Sequence, residues 1–281
     1  MVLQRLANQR HRRRLRQALP DYQLPSFPDV VARVRDLVRD PKASLAQLGD
    51  AIAQDPGLST KVLSVVNSGA VYLRSPVDTV RQAVAMLGMS NVETLVVAVS
   101  AKSVLPSSSG SPIVASFWRS AARRAAVGQA LAGALHPATR SESFTLGLLQ
   151  DMAVPLLATR RPEVYQGVWE AWQREGGALE DHERAAMGFS HGEVAGWMCE
   201  AWQLPESFSD AIHAHHDDPT AESPCPPAVR IAAALEVDGP GWERARLTEE
   251  LERAPDLAPE NVSAVIEQML PAAQSLEALF V

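Results

Sequence analysis

Cysteine is almost missing from this chain of 281 residues, which holds only Cys199 and Cys225. Two thiols so placed build neither a disulfide framework nor, unaided, a thiolate zinc site, and such usage suits a reducing compartment, so a cytoplasmic location is expected. Aromatic residues are also scarce, at 5%. The apolar content rests instead on Ala, Val and Leu, which favours packed helices over a β-sandwich. No apolar run approaches the roughly 18 residues that cross a bilayer, which excludes a membrane-spanning helix. The opening stretch has arginines but no apolar core, so it does not read as a secretory signal. A Walker A loop and a G-x-G-x-x-G turn are absent, and no nucleophile elbow is expected.

Charge is unevenly spread. The chain has 26 basic and 33 acidic residues and a net charge of −7, yet Arg5, Arg10, Arg12, Arg13, Arg14 and Arg16 all fall in residues 1–16, which hold no acid. The remaining body is therefore strongly acidic and repels a phosphate backbone, so nucleic acid is not expected as a partner. The arginine-rich tail could touch RNA, DNA or anionic lipid. No aromatic side chain interleaves it, which favours a solvated terminus.

What is present is helical periodicity. Val30, Val31, Val34, Leu37 and Val38 share a face after Phe27-Pro28-Asp29, and Asp40-Pro41 ends that helix. Ser44 and Gln47 have the spacing of a capping box, as do Ser90 and Glu93. Asp55-Pro56-Gly57 suits another helix start. Leu95–Ser100 is rich in β-branched residues, but its length and the cap before it favour a helix. The loop at 106–112 marks a boundary between two lobes. After it come predicted helices over Phe117–Leu135, Phe144–Leu157, Pro162–Glu175, one capped by Ser190, one reaching His216, Ala228–Leu235, and a terminal amphipathic helix from Pro259. The expected class is all-α.

Few residues carry chemistry. His213, His215 and His216 cluster at a helix end, His191 begins another helix, and Asp151 lies in the apolar stretch Leu146–Pro155. Histidine with carboxylate is a ligand set for zinc, iron or manganese. In a regular helix, however, adjacent His215 and His216 point about 100° apart, and a helix C-terminus favours histidine in any case. Asp151 needs a partner, because an unpaired buried carboxylate is costly. A hydrogen-bonded structural role and a metal-ligand or acid–base role both remain open for it.

The residues then resemble a known family. Ile52-Ala53-Gln54-Asp55-Pro56-Gly57-Leu58, Val65-Val66-Asn67-Ser68, Ala83-Val84-Ala85-Met86-Leu87-Gly88, Phe117-Trp118-Arg119, Leu146-Gly147-Leu148-Leu149-Gln150-Asp151, Phe189-Ser190-His191-Gly192-Glu193-Val194, Trp202-Gln203-Leu204-Pro205 and Ile212-His213-Ala214-His215-His216 occur in this order. Together they resemble HDOD proteins, the HD-related output domains of bacteria. The resemblance implies an HDOD domain at 20–237 with lobes of about 24–105 and 112–237, which leaves the basic tail at 1–19 and a helical extension at 238–281. The second lobe would be related to the HD metal-dependent phosphohydrolases. Their ligand pattern is broken here. Ser120 stands near the first histidine position, Gln150 replaces the histidine of the His-Asp pair, and Ala232-Ala233-Ala234 supplies no final Asp. The Gly-Tyr-Pro signature of the subfamily that cleaves cyclic dinucleotides is also absent. Ser120, Gln150, Asp151, His191, His215 and His216 are thus expected to be a remnant site, with no bound metal, no cofactor and no catalysis. The implied function is a non-catalytic bacterial signalling or regulatory domain that binds a protein partner or a small ligand, a nucleotide among the candidates, and acts in trans. The alternative is a divergent metal-dependent phosphohydrolase acting on a nucleotide or cyclic dinucleotide.

Overall fold

The computed structural model describes residues 14–15, 17–19, 24, 26–67, 76–106, 110–235 and 242–280. Among these residues the regular structure is helical and no strand occurs. In the first half, α1 (Asp29–Arg39), α2 (Leu45–Ala53), α3 (Pro56–Val65), α4 (Val80–Leu87) and α5 (Met89–Val104) follow one another through short turns. The second half holds α6 (Pro112–Leu135), α7 (Arg140–Leu149), α8 (Val154–Arg160), α9 (Pro162–Glu175), α10 (Leu179–Met187), α11 (His191–Ala201), α12 (Glu206–His213) and α13 (Pro227–Ala234). Two further helices close the chain, α14 (Arg244–Glu252) and α15 (Pro259–Phe280).

Local chemistry explains most of these boundaries. Ser44 accepts from the Gln47 backbone N–H while the Gln47 side chain accepts from the Ser44 N–H, so the reciprocal cap satisfies two otherwise orphaned donors of α2. Asp55 caps α3 in the same way through the Leu58 N–H, with Pro56 at the first helical position. The valine-rich run 95–100 is indeed helical, because α5 is buried along it and a helix satisfies its backbone internally. That helix starts at Met89, with Gly88 at the N-cap position (φ 77°), so Ser90 lies within the first turn and is not the cap. Asn67 holds Val77 through both its amide groups, at 2.8 and 2.9 Å.

One boundary matters for function. The single helix expected over Phe144–Leu157 is two helices, α7 and α8, joined by a turn at 150–153. Pro155 is the cause: it has no N–H to offer the carbonyl four residues back, and its ring clashes with that carbonyl. The residue four back is Asp151, whose carbonyl instead accepts from the Val154 N–H at 2.9 Å. The break turns Asp151 out of the helical register.

Helix α6 is the axis of the second half and packs against α7, α8, α13 and α15. Its alanine-rich face lets these neighbours approach closely. α15 lays Val265, Ile266, Met269 and Leu276 against it, all buried. The two halves share one apolar core, joined where α5 meets α7 and where α3 meets α15. Residues 107–109 of the presumed lobe boundary, and Arg5, Arg10, Arg12, Arg13 and Arg16 of the basic tail, lie outside the described residues. Leu15, Ala18 and Leu19 are buried, and the Arg14 guanidinium lies 5.7 Å over the Trp197 ring. No described helix is long and apolar enough to cross a membrane.

The closeness of α6 and α7 depends on Gly147. A Cβ there would fall 2.7 Å from the Arg124 carbonyl oxygen and 3.0 Å from Ala125 Cα, both backbone atoms of α6. Gly147→Ala is therefore expected to force the helices apart and destabilise by about 1–3 kcal/mol. Gly167, on the exposed face of α9, has open space around it. Gly167→Ala is expected to stabilise by about 0.5–1 kcal/mol through helix propensity. Urea midpoints of the two variants give the comparison, and equal midpoints would contradict it.

Candidate functional site

The break at 150–153 delivers Asp151 into a pocket where three other segments converge. Asp151 is buried, and Oδ2 accepts from the Arg124 guanidinium of α6 at 2.6 Å. Its Oδ1 faces His191 Nε2 at 3.1 Å and His215 Nε2 at 3.2 Å. His191 opens α11, whose start is set by the reciprocal cap between Ser190 and Glu193. His215 and His216 lie in the turn after α12, which ends at His213.

That ending corrects the helical-wheel expectation. Released from helical geometry, the His215 and His216 rings come within 4.0 Å of each other, centroid to centroid, on the same side of Asp151. His216 Nε2 is 3.0 Å from His191 Nε2. The turn is held from behind by Arg230 of α13, a buried guanidinium that donates to the Asp218 and Ala221 carbonyls.

A second ring of groups fixes the histidines. Glu183 of α10 is fully buried and accepts from both His191 Nδ1, at 2.7 Å, and the His191 backbone N–H, at 2.6 Å. Its other oxygen accepts from the Tyr165 hydroxyl of α9 at 2.6 Å. His215 Nδ1 donates to the Ile212 carbonyl at 2.6 Å. A chain of polar contacts thus runs Tyr165–Glu183–His191–Asp151–Arg124.

The electrostatics follow from this chain. Burial would raise the Asp151 pKa, but the Arg124 charge and the hydrogen bonds from His191 and His215 outweigh it and hold the carboxyl well below its usual range. Burial would likewise favour a neutral His191. The Glu183 and Asp151 carboxylates on its two sides overcome that and push the imidazole up to about 10, so it stands as an imidazolium. His216, open to solvent on its outer edge, is pushed below the usual imidazole range by desolvation of its ring and by His215 and His191. Tyr165 is pushed well above the usual phenol range by burial and by Glu183. The buried carboxylates Asp151 and Glu183 thus stand beside the Arg124 guanidinium and the His191 imidazolium.

The expected site residues are not all brought together. Asp151, His191, His215 and His216 converge. Gln150 is adjacent and buried, with its amide nitrogen 3.4 Å from Asp151 Oδ2 and its Oε1 without a hydrogen-bond partner among the described residues. Ser120 is buried on α6 one turn before Arg124, and its hydroxyl donates to the Ser116 carbonyl at 3.0 Å. His213 stands apart, bonded to the Ser209 carbonyl at 2.9 Å and pressed against Gly196. Both cysteines are buried, and burial raises both thiols, Cys225 to about 12, so neither is a nucleophile. Gly188-Phe189-Ser190-His191-Gly192 does have nucleophile-elbow spacing, contrary to the expectation of none. It joins two helices instead of a strand and a helix, and its serine oxygen accepts from Glu193 N–H as the α11 cap.

Arg124, Glu183 and Tyr165 were not foreseen. Arg124 sits beside Arg123 in a helix that reads as alanine-rich. Glu183 lies in Leu179–Met187, a run so charged that it reads as a solvated face.

Whether the pocket suits a metal is decided by its donors. Asp151, His191, His215 and His216 each offer a ligand atom, and these atoms lie within 4.8 Å of one another. Carboxylate and imidazole suit a first-row transition ion. Against this, the Arg124 charge already holds Asp151, and the His191 nitrogen facing Asp151 carries a proton that an ion would have to displace. Two unit charges about 4 Å apart interact by about 4 kcal/mol at an effective dielectric near 20, and a divalent ion doubles the opposition from Arg124. Ser120 and the buried Ala232 and Ala233 add no ligand. The residues present, with Arg124 among them, do not fit a resident metal.

Comparison with known proteins agrees with the fold. Residues 24–218 match the HDOD domain, well over half of the chain, and the chain belongs to the HDOD family. An uncharacterized protein of Treponema pallidum (strain Nichols) is 23% identical over 211 residues, covering 75% of this chain. The chain spans only 41% of that relative's length. A crystal structure from Shewanella amazonensis SB2B, described as a candidate phosphohydrolase, superposes with a TM-score of 0.70 at 22% identity, covering 92% of this chain and 95% of that one. Another from Marinobacter aquaeolei VT8, described as a candidate signal transduction protein, gives 0.68 at 20% identity, with 97% and 66% covered. At these identities the structures establish the fold alone, an all-α HD-like architecture.

Two outcomes follow from the charge chain. Asp151→Ala is expected to destabilise by about 2–4 kcal/mol, because it leaves the part-buried Arg124 without its carboxylate and the buried His191 with only one of its two. His191 has a folded pKa above its ordinary 6.5, so its contribution is full below 6.5 and is lost as pH rises through about 10. The stability gap between wild type and His191→Gln should therefore shrink as pH rises through that window. A gap that widens with pH would contradict the assignment. The Asp151 contribution has the opposite sense, being lost as pH falls through its depressed value.

Proposed function

We propose that this HDOD protein is a non-catalytic regulatory module of bacterial signal transduction, working in the cytoplasm by binding a protein partner. The observation that carries the reading is the 2.6 Å contact between Arg124 and Asp151. The carboxylate on which metal-dependent hydrolysis would depend is already neutralised from within the protein. Metal hydrolysis requires a bound ion that lowers the pKa of its water, and an internal guanidinium cannot do that. The signalling description of the Marinobacter protein is in keeping with this reading. In it, lobes at about 24–105 and 112–237 form the module, and the Asp151 chain fixes how the helices of the second lobe meet.

The alternative, a divergent phosphohydrolase with a nucleotide substrate, has one observation in its favour. Four donor atoms converge, and the buried Gln150 Oε1 beside them has no partner among the described residues. The description of the Shewanella protein points the same way.

Elemental analysis of the full chain, purified in metal-free buffer and then offered manganese or iron, separates the two. The regulatory reading predicts no stoichiometric metal and no turnover of cyclic dinucleotides. It also predicts that a folded His215→Gln/His216→Gln variant keeps its partner interactions. Metal-dependent turnover in the wild type that is lost in the folded double variant would replace the regulatory reading with the phosphohydrolase.

A further inference from the structure

The pocket has the donors of a metal site and a positive charge where an ion would be needed. We infer that Arg124 is the resident cation of the Asp151 pocket, and that its charge closes the four-donor cluster to transition-metal ions. With that charge removed, Asp151, His191, His215 and His216 form a mononuclear site for a borderline ion such as Zn²⁺ or Co²⁺. The inference rests on the non-catalytic reading above and extends it to the chemistry that one residue withholds.

Three observations carry it. First, the donors are oriented by groups other than Arg124. Glu183, itself held by Tyr165, fixes the His191 ring, and the Ile212 carbonyl fixes the His215 ring. Such outer partners are the ones that orient metal-binding histidines. The turn after α7 places Asp151 through its own backbone bonds. The donor set therefore persists when the guanidinium is taken away.

Second, charge count changes sign with Arg124. Asp151 and Glu183 are two buried carboxylates, and together they balance one divalent ion. With Arg124 also present, an ion would leave the pocket with an excess of positive charge in a poorly hydrated place. Without Arg124, the ion restores the balance that the guanidinium now helps to provide.

Third, the pocket has an entrance. His216 is open to solvent on one side, and its Nε2 is 3.0 Å from that of His191, so an ion can reach the cluster without unfolding it.

The test uses the full-length chain, freed of metal, in four forms: wild type, Arg124→Met, Arg124→Gln and Arg124→Lys. Each is titrated with Co²⁺, read by its ligand-field absorption, and with Zn²⁺ by calorimetry. The Met and Gln variants are expected to bind one equivalent at least about 100-fold more tightly than the wild type, while the Lys variant, which keeps the charge, stays near the wild type. Adding His191→Gln to the Met variant should abolish the gain. Should the Met and Gln variants unfold without metal, Zn²⁺ is expected to restore their helical circular dichroism, and failure to do so counts against the inference. Folded Met and Gln variants that bind no better than the wild type would overturn it and leave the regulatory reading standing. Equal binding by the Lys and Met variants would also overturn it, since charge would not be the determinant. Tight stoichiometric binding by the wild type would overturn the inference and bring down the regulatory reading with it.

Discussion

A carboxylate cannot be buried at a helix break without a counter-charge, and the second half of this protein is arranged around meeting that requirement. Pro155 ends α7 and exposes Asp151 to the pocket. Arg124, one helix away, then takes up the negative charge from α6, while His191 and His215 take it up from the other side. The Gly147 contact that brings α6 against α7 is what puts Arg124 within reach. Geometry and charge are thus coupled: the close approach of two helices is useful only because of the ion pair, and the ion pair forms only because of the close approach.

From Asp151 the constraint spreads outward. His191 must be positively charged to serve Asp151, so it needs Glu183, and Glu183 needs Tyr165. The chain ties α6, the α7–α8 turn, α9, α10, α11 and the turn after α12 into one polar unit within an apolar shell. Buried ion pairs of this kind add little net stability over a well-packed apolar core, because desolvation offsets most of their attraction. Their consequence is definition: any member left alone is costly, so the helices have one arrangement in which all are paired. On the proposed regulatory reading such definition serves a fixed surface, whereas a hydrolase would spend the same carboxylate on an ion.

Much of this was legible in the sequence, for identifiable reasons. The all-α class followed from 3.6-residue periodicity and from caps such as Ser44 with Gln47 and Ser190 with Glu193, which are local. Asp151 stood out because it interrupts an apolar run, and His191, His215 and His216 because they cluster near helix ends. What escaped were contacts between distant segments. Arg124 meets Asp151 across 27 residues, and nothing near Arg124 distinguishes it from the surface arginine it resembles. Glu183 is hidden among Glu180, Asp181, His182 and Arg184, and only its position on α10 makes it the fully buried one, with Glu180 buried beside it at 8% exposure. Helical geometry alone did not show the convergence of His215 and His216, because it was extended past His213, where the helix has already stopped; the family resemblance was what grouped them.

The protonation state of His191 tests the account most directly, since it differs between a self-neutralised charge chain and a metal centre. Long-range nitrogen–proton correlation spectra of histidine-labelled protein at about pH 8 report both ring nitrogens, well above the ordinary imidazole pKa of about 6.5. A self-neutralised chain predicts protons on both Nδ1 and Nε2 of His191, with Nε2 losing its signature when Asp151 is changed to Asn. A neutral His191 ring at that pH, protonated on Nδ1 alone with a bare or metal-shifted Nε2, would contradict it.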